Sequence, residues 1–123
     1  MTLIDTSAWI EQLRKGGDTK VRQRVEDLLR SGEAAWCSMV RLELWNGARG
    51  EQEAVALREM EEAIVDLAVD GDVWALSMEL ARACRSRGLT IPATDLVVSA
   101  CAARHGVAVE HADHHFDAIP HLG

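Results

Sequence analysis

Four carboxylates in this chain stand in company that carboxylates usually avoid. Asp5 follows directly on the apolar pair Leu3-Ile4. Helical spacing puts Glu43 on the same face as Val40, Leu44 and Gly47. Asp95 begins a segment whose same-face neighbours are Val98, Ser99 and Ala102, and Asp113 follows the run Val107–His111. By contrast Glu51, Glu53, Glu59, Glu61 and Glu62 crowd one segment in the manner of a solvated helix face. Carboxylates gathered at one point cannot all stay ionised without a counter-charge, because each raises the pKa of the others. A hard divalent cation with oxygen ligands supplies that charge, with Mg²⁺ or Mn²⁺ favoured. Each acid also has a plainer reading. Asp5 and Asp95 suit helix caps or first-turn acids, Glu43 can reach solvent, and Asp113 suits a turn. Spacing alone leaves these alternatives open.

The elements that must position the acids are legible from caps and periodicity. Thr2-Leu-Ile4 reads as a short strand ending in the cap-forming Asp5-Thr6-Ser7, which opens a helix over about Ser7–Lys15. A second helix over Thr19–Arg30 carries Val21, Val25, Leu28 and Leu29 on one face. Ala34–Ser38 reads as a strand, Met39–Ala48 and Glu51–Leu67 as helices, and Leu67–Val69 as a third strand. A helix follows from Gly71-Asp72 to its stop at Gly88, then another over Asp95–His105, then the strand Val107–His111. Short apolar strands alternating with helices predict an α/β domain with a mainly parallel sheet. Two of the acids then lie at strand exits and two on inward helix faces. In such sheets, sites form beyond the carboxyl ends of the strands.

Composition narrows the classes. The 123 residues carry 20 acids against 13 Lys and Arg, a net charge of −7, with 48% hydrophobic residues. This fits a single domain over 1–123 with its own core and argues against disorder. No run approaches the ~18 apolar residues of a membrane span, so no membrane partner is expected. The start Met1-Thr-Leu-Ile-Asp5 reads against a secretory signal. Cys37, Cys84 and Cys101 are odd in number, widely spaced and set among small or apolar residues, which predicts buried reduced thiols and a cytoplasmic protein. The acidic balance excludes a broad basic nucleic-acid face. It leaves room for acids clustered around a cation.

Four local motifs occur in order: Leu3-Ile4-Asp5-Thr6-Ser7-Ala8-Trp9-Ile10, Arg41-Leu42-Glu43-Leu44-Trp45-Asn46-Gly47, Ala93-Thr94-Asp95-Leu96 and His111-Ala112-Asp113-His114-His115-Phe116. Together they resemble a PIN domain, and more narrowly the VapC-type toxins of bacterial and archaeal toxin–antitoxin pairs, over essentially the whole chain. The resemblance implies a three-layer α/β/α sandwich with an acidic pocket of Asp5, Glu43, Asp95 and Asp113 that holds Mg²⁺ or Mn²⁺ and cleaves RNA endonucleolytically. It also implies a cognate VapB-type antitoxin whose tail covers the groove, and a homodimer. Thr6 matches the family's hydroxyl beside the first acid, a supporting or water-positioning group. The last motif departs from the common Thr-x-Asp-x-Asp-Phe: His111 stands for the Thr and His115 for the second Asp. Polar support from the Thr position would fall to His111. Metal-dependent chemistry lowers the pKa of a bound water and neutralises the scissile phosphate, predicting 5′-phosphate and 3′-hydroxyl ends.

Other signals compete. The run His111, His114, His115, with His121 beyond, invites a zinc reading, but closed zinc sites usually add cysteines, which are remote here. His114 and His115 read instead as exposed or substrate-facing. Arg14 and Lys15, with Lys20, Arg22 and Arg24, and the group Arg82, Arg85, Arg87 read as solvated faces or as RNA phosphate contacts. Trp9, Trp36, Trp45 and Trp74 read as core or interface. The alternative function is a non-catalytic nucleic-acid or protein-binding module on the same fold, which has no need of acids on inward helix faces. A haloacid-dehalogenase-type phosphoryl transfer fails at its first motif, where Ser7 stands in place of the second Asp.

Overall fold

The computed structural model describes residues 1–121. In chain order the elements are β1 (Thr2–Ile4), α1 (Thr6–Leu13), α2 (Thr19–Arg30), β2 (Ala34–Cys37), α3 (Ser38–Gly47), α4 (Gly50–Ala63), β3 (Val65–Leu67), α5 (Gly71–Ser86), α6 (Ala93–His105), β4 (Ala108–Glu110) and α7 (His115–Ala118). The four strands form one sheet in the order β3-β2-β1-β4, and every pairing is parallel. The chain therefore moves outward from β1 through β2 to β3, then crosses back to place β4 on the other side of β1. Right-handed crossovers put the helices of the two outward connections on one face and those of the return on the opposite face. The result is a three-layer α/β/α sandwich.

Local chemistry explains most element ends. Asp18 caps α2 by accepting from the amides of Lys20 and Val21 at 3.0 Å, and Asp70 caps α5 through Val73 at 3.0 Å. Gly106 ends α6 in the left-handed region at φ 67°. Between α1 and α2 a tight turn brings Gly17 so close to the end of α1 that a Cβ there would fall 1.9 Å from the Glu11 carbonyl oxygen. Glycine at 17 is a packing requirement.

One expectation about the sheet is corrected. The stripe Leu57, Met60, Ile64 and Leu67 suits a helix running to Leu67, yet α4 stops at Ala63 and the third strand is Val65–Leu67, not Leu67–Val69. Ile64 is already extended, at φ −96° and ψ 134°. The strand pairs Ala35 with Val65 and Cys37 with Leu67, so sheet hydrogen bonds outcompete local helical periodicity. The short helix α7 is also absent from the sequence reading.

The core lies on both sides of β1 and β2. Leu3, Ile4, Ala35 and Cys37 are fully buried, and Val25, Val40, Val98 and Ala100 cover them from the helices. Trp9 and Trp36 meet edge to face at 5.9 Å, each 1% exposed, a pairing worth about 0.5–1.5 kcal/mol beyond area burial. Trp45 is only partly buried, with its indole N–H on Glu61, and Trp74 is exposed. All three cysteines are buried free thiols, as their neighbours predicted. Among the described residues no helix is long and apolar enough to cross a membrane.

Candidate active site

The four acids converge at the carboxyl edge of the sheet, around the point where β1 and β4 lie side by side. Ile4 pairs with Glu110 across these strands, and the Asp5 amide donates to the Glu110 carbonyl at 2.9 Å. The next residues of both strands therefore leave the sheet together, Asp5 into α1 and the Glu110–His114 segment toward α7. Glu43 arrives on α3, which starts immediately after β2. Asp95 arrives in the first turn of α6.

Three of the four acids have their own hydrogen-bond support. Asp5 is 3% exposed and caps α1, its Oδ2 accepting from the Ser7 amide at 3.0 Å and the Ser7 hydroxyl at 2.6 Å. The same hydroxyl oxygen accepts from the Ala112 amide at 3.0 Å, which fastens the Asp113 loop to the Asp5 cap. Thr6 donates its hydroxyl to Glu43 Oε1 at 2.9 Å. Thr6 thus ties the start of α1 to α3. Ser7 is the residue that the sequence reading missed; its signal lay in the cap-forming Asp5-Thr6-Ser7, read there only as a helix start.

Support for Asp113 comes from His115. The His115 backbone amide donates to Asp113 Oδ1 at 2.9 Å, and its ring Nδ1 lies 2.8 Å from the same oxygen and 3.6 Å from Asp95 Oδ2. His111 instead accepts from the Asp113 amide at 3.4 Å and stacks on Phe116 with ring centres 4.9 Å apart. His114 is the outermost of the three, its side chain 87% exposed and its Nδ1 3.9 Å from Asp113 Oδ1.

The electrostatics record the crowding. Asp95 is 7% exposed and its Oδ2 is buried with no hydrogen-bond partner. Burial first, then the Asp113 carboxylate, then the charges of Asp5 and Glu43 push its pKa up to about 7. Glu43 is raised by burial and by Asp5 and Asp113, against the opposing Thr6 hydrogen bond. Burial also pushes Asp113 upward, but the neighbouring Asp95 carboxyl and the hydrogen bonds from His115 outweigh it and leave the carboxyl below its ordinary range. The protein alone therefore does not keep all four carboxyls ionised at neutral pH. Several hard oxygen donors, one of them a buried oxygen without a donor, fit a divalent cation. Among the described residues, Asp113, His114 and His115 also group as possible ligands, with donor atoms within 4.8 Å of one another.

A groove of about 380 Å³ leads away from Thr6 and Glu43, lined by Ile10, Leu13, Arg14 and Met60 among others. Arg14 is exposed and paired with Glu11 at 3.0 Å, and Lys15 follows it at the surface. Arg24 is turned to Glu110 at 2.9 Å. An Arg104–Asp72 bridge of 3.0 Å joins the end of α6 to the start of α5. The two helices are thus antiparallel, and Arg82, Arg85 and Arg87 lie at the same end of the pair as Asp95.

The profile of the PIN domain family matches residues 2–122. The chain is 30% identical over 127 aligned positions to the VapC ribonuclease Mb1587 of Mycobacterium bovis, covering 99% of this chain and 93% of that protein. Among solved structures it is similar to VapBC2 from Rickettsia felis bound to a promoter DNA fragment, with a TM-score of 0.75 at 17% identity, covering 97% of this chain and 92% of that one. The FitAcB structure from Neisseria gonorrhoeae aligns with a TM-score of 0.73 at 23% identity over 96% of this chain and 92% of its counterpart. The parallel four-stranded sheet, the ordered acidic motifs and these matches lead to one conclusion: the chain belongs to the PIN-domain family, and within it to the VapC ribonucleases.

Proposed function

We propose that this chain is the toxin of a type II toxin–antitoxin pair, an endoribonuclease dependent on Mg²⁺ or Mn²⁺. The observation that carries the reading is the convergence of Asp5, Glu43, Asp95 and Asp113 at one edge of the sheet, with Asp95 raised to about 7 by burial and by the other three. These four carboxylates hold the cation. Bound there, a divalent cation lowers the pKa of water and neutralises the phosphate under attack. The chain's own residues set the geometry: Ser7 fixes Asp5, Thr6 fixes Glu43, and His115 fixes Asp113. Arg14, Lys15 and His114 contact RNA around the pocket, while His115 is turned inward to Asp113 and Asp95. In-line attack by water leaves 5′-phosphate and 3′-hydroxyl ends.

The antitoxin is proposed to lay an apolar segment in the groove beside Thr6 and Glu43, where Ile10 is 44% and Leu13 49% exposed. A homodimer belongs to the same reading, with exposed Leu42, Trp74 and Met78 providing apolar surface for association. The test is to express the wild type and Asp5→Asn without a partner and incubate each with RNA and Mg²⁺, Mn²⁺ or EDTA. The reading requires cleavage by the wild type alone, abolished by EDTA. Equal cleavage by Asp5→Asn, or 2′,3′-cyclic phosphate ends, would sink it.

A further inference from the structure

We infer that His115 gives this carboxylate centre a nitrogen ligand and so tilts its preference from Mg²⁺ toward Mn²⁺ and the later first-row divalent ions. The inference rests on the reading of the four acids as a metal centre and specifies its donor set. Its Nδ1 lies 2.8 Å from Asp113 Oδ1 and 3.6 Å from Asp95 Oδ2. A nitrogen donor and two carboxylate oxygens therefore face one another from two elements, α6 and the start of α7. Without a metal the ring is held by its own Nδ1 hydrogen bond to Asp113 Oδ1 at 2.8 Å, and a bound ion would replace that proton between the same two atoms.

A second observation points to a ligand at the same spot. Asp95 Oδ2 is buried and has no hydrogen-bond partner, and it is the oxygen that His115 faces. His114 also comes within reach of Asp113, but from the solvent side. Its side chain is 87% exposed, and its nearest approach to Asp113 is 3.9 Å. Imidazole is a poor ligand for Mg²⁺, which takes oxygen donors and keeps its waters, whereas first-row transition ions accept nitrogen readily. A histidine in this position also contributes one negative charge fewer than the aspartate of the common motif, which further weakens a purely ionic hold on Mg²⁺.

The experiment uses the full chain, stripped of metal, titrated with Mn²⁺ or Mg²⁺ by calorimetry. Pulsed electron paramagnetic resonance of the Mn²⁺-loaded protein then reads ¹⁴N coupling to the ion. The wild type is expected to bind Mn²⁺ more tightly than Mg²⁺ and to show the coupling. His115→Gln, which retains an amide donor toward Asp113, should lose the coupling and about tenfold or more in Mn²⁺ affinity, with a much smaller change for Mg²⁺. His115→Asp should narrow the Mn²⁺ to Mg²⁺ affinity ratio by about tenfold, and His114→Ala should keep the coupling. Mn²⁺ bound by the wild type without ¹⁴N coupling overturns the role of His115 and leaves the acidic metal centre standing. Coupling that survives His115→Gln, or disappears in His114→Ala instead, also overturns it. No Mn²⁺ binding at all overturns both. The wild-type spectrum decides the question even if a variant fails to fold.

Discussion

Thr6 donates its hydroxyl to Glu43 Oε1 at 2.9 Å across 37 residues of sequence, joining the helix that follows β1 to the helix that follows β2. The bond stabilises the ionised form of Glu43 while burial and the charges of Asp5 and Asp113 oppose it. Replacing Thr6 by the near-isosteric Val removes the donor without opening space. The Glu43 pKa then rises further, so more alkaline pH is needed to ionise it. RNA cleavage by Thr6→Val should fall about tenfold near neutral pH, with the acidic limb of its pH profile displaced upward. Thr6→Ser should keep the wild-type profile. A Thr6→Val profile superimposable on the wild type would count against this role.

The pH dependence of folding should carry the signature of Asp95. Its carboxyl titrates near 3.8 when unfolded and at about 7 in the folded, metal-free protein. The folded state thus binds more protons between these values. The contribution of Asp95 to stability is complete below pH about 4 and is lost as pH rises through about 7. Asp113, whose pKa is lowered, works in the opposite sense, its contribution being lost as pH falls below its ordinary range. In EDTA, Asp95→Asn should melt with a flatter pH dependence and exceed the wild type at pH 8 by about 1–3 kcal/mol. Adding divalent cation should stabilise the wild type at pH 8 by ~2.7 kcal/mol at a hundredfold excess over Kd. Thermal melts at pH 5 and pH 8 measure both effects.

Ser7 joins the two strand exits. Its hydroxyl donates to Asp5 and accepts from Ala112, so Ser7→Ala leaves Asp5 only the backbone amide of residue 7 and unfastens the Asp113 loop. A loss of about 1–2 kcal/mol in stability is expected, with metal affinity reduced about tenfold or more. Chemical denaturation and a Mn²⁺ titration separate the two. Unchanged metal binding would reduce Ser7 to a support for the Asp5 cap of α1.

Gly17 offers a purely structural test. A methyl group would meet the Glu11 carbonyl oxygen at 1.9 Å, which only a backbone shift at the end of α1 can relieve. Gly17→Ala should destabilise the protein by about 1–3 kcal/mol, whereas Gly47→Ala, where a Cβ meets nothing within 4 Å, should not.

Salt dependence tests the contribution of the basic residues. If Arg14 and Lys15 meet phosphates, the double alanine variant should raise KM for RNA at low salt and flatten the dependence of KM on salt, while kcat changes little. An unaltered salt slope would return both residues to the solvated surface.

Much of the site was legible in the chain because its signals are local. A carboxylate directly after an apolar strand, or on the apolar face of a helix, is unusual within a few residues of context, and Asp5, Glu43 and Asp95 stood out on that basis, whereas Asp113, two residues past its strand, joined them through the order of the four motifs. Caps and glycine stops, such as Asp18 at α2 and Gly106 at α6, are equally local, so the order of elements and the α/β class followed from them. What the chain did not disclose depends on partners distant in sequence. The end of α4 was decided by pairing with β2, since Ile64 fits a helical stripe and an extended link equally well. Strand order, which sets β4 beside β1 and so brings Asp113 to Asp5, is a result of nonlocal packing. The assignment of His115 rather than His111 to the Asp113 carboxylate arose from the turn into α7. The sequence by itself determined which groups were available for chemistry; only the tertiary structure decided which of them face one another and share a hydrogen bond, because those energies depend on distances of a few ångströms between residues far apart in the chain.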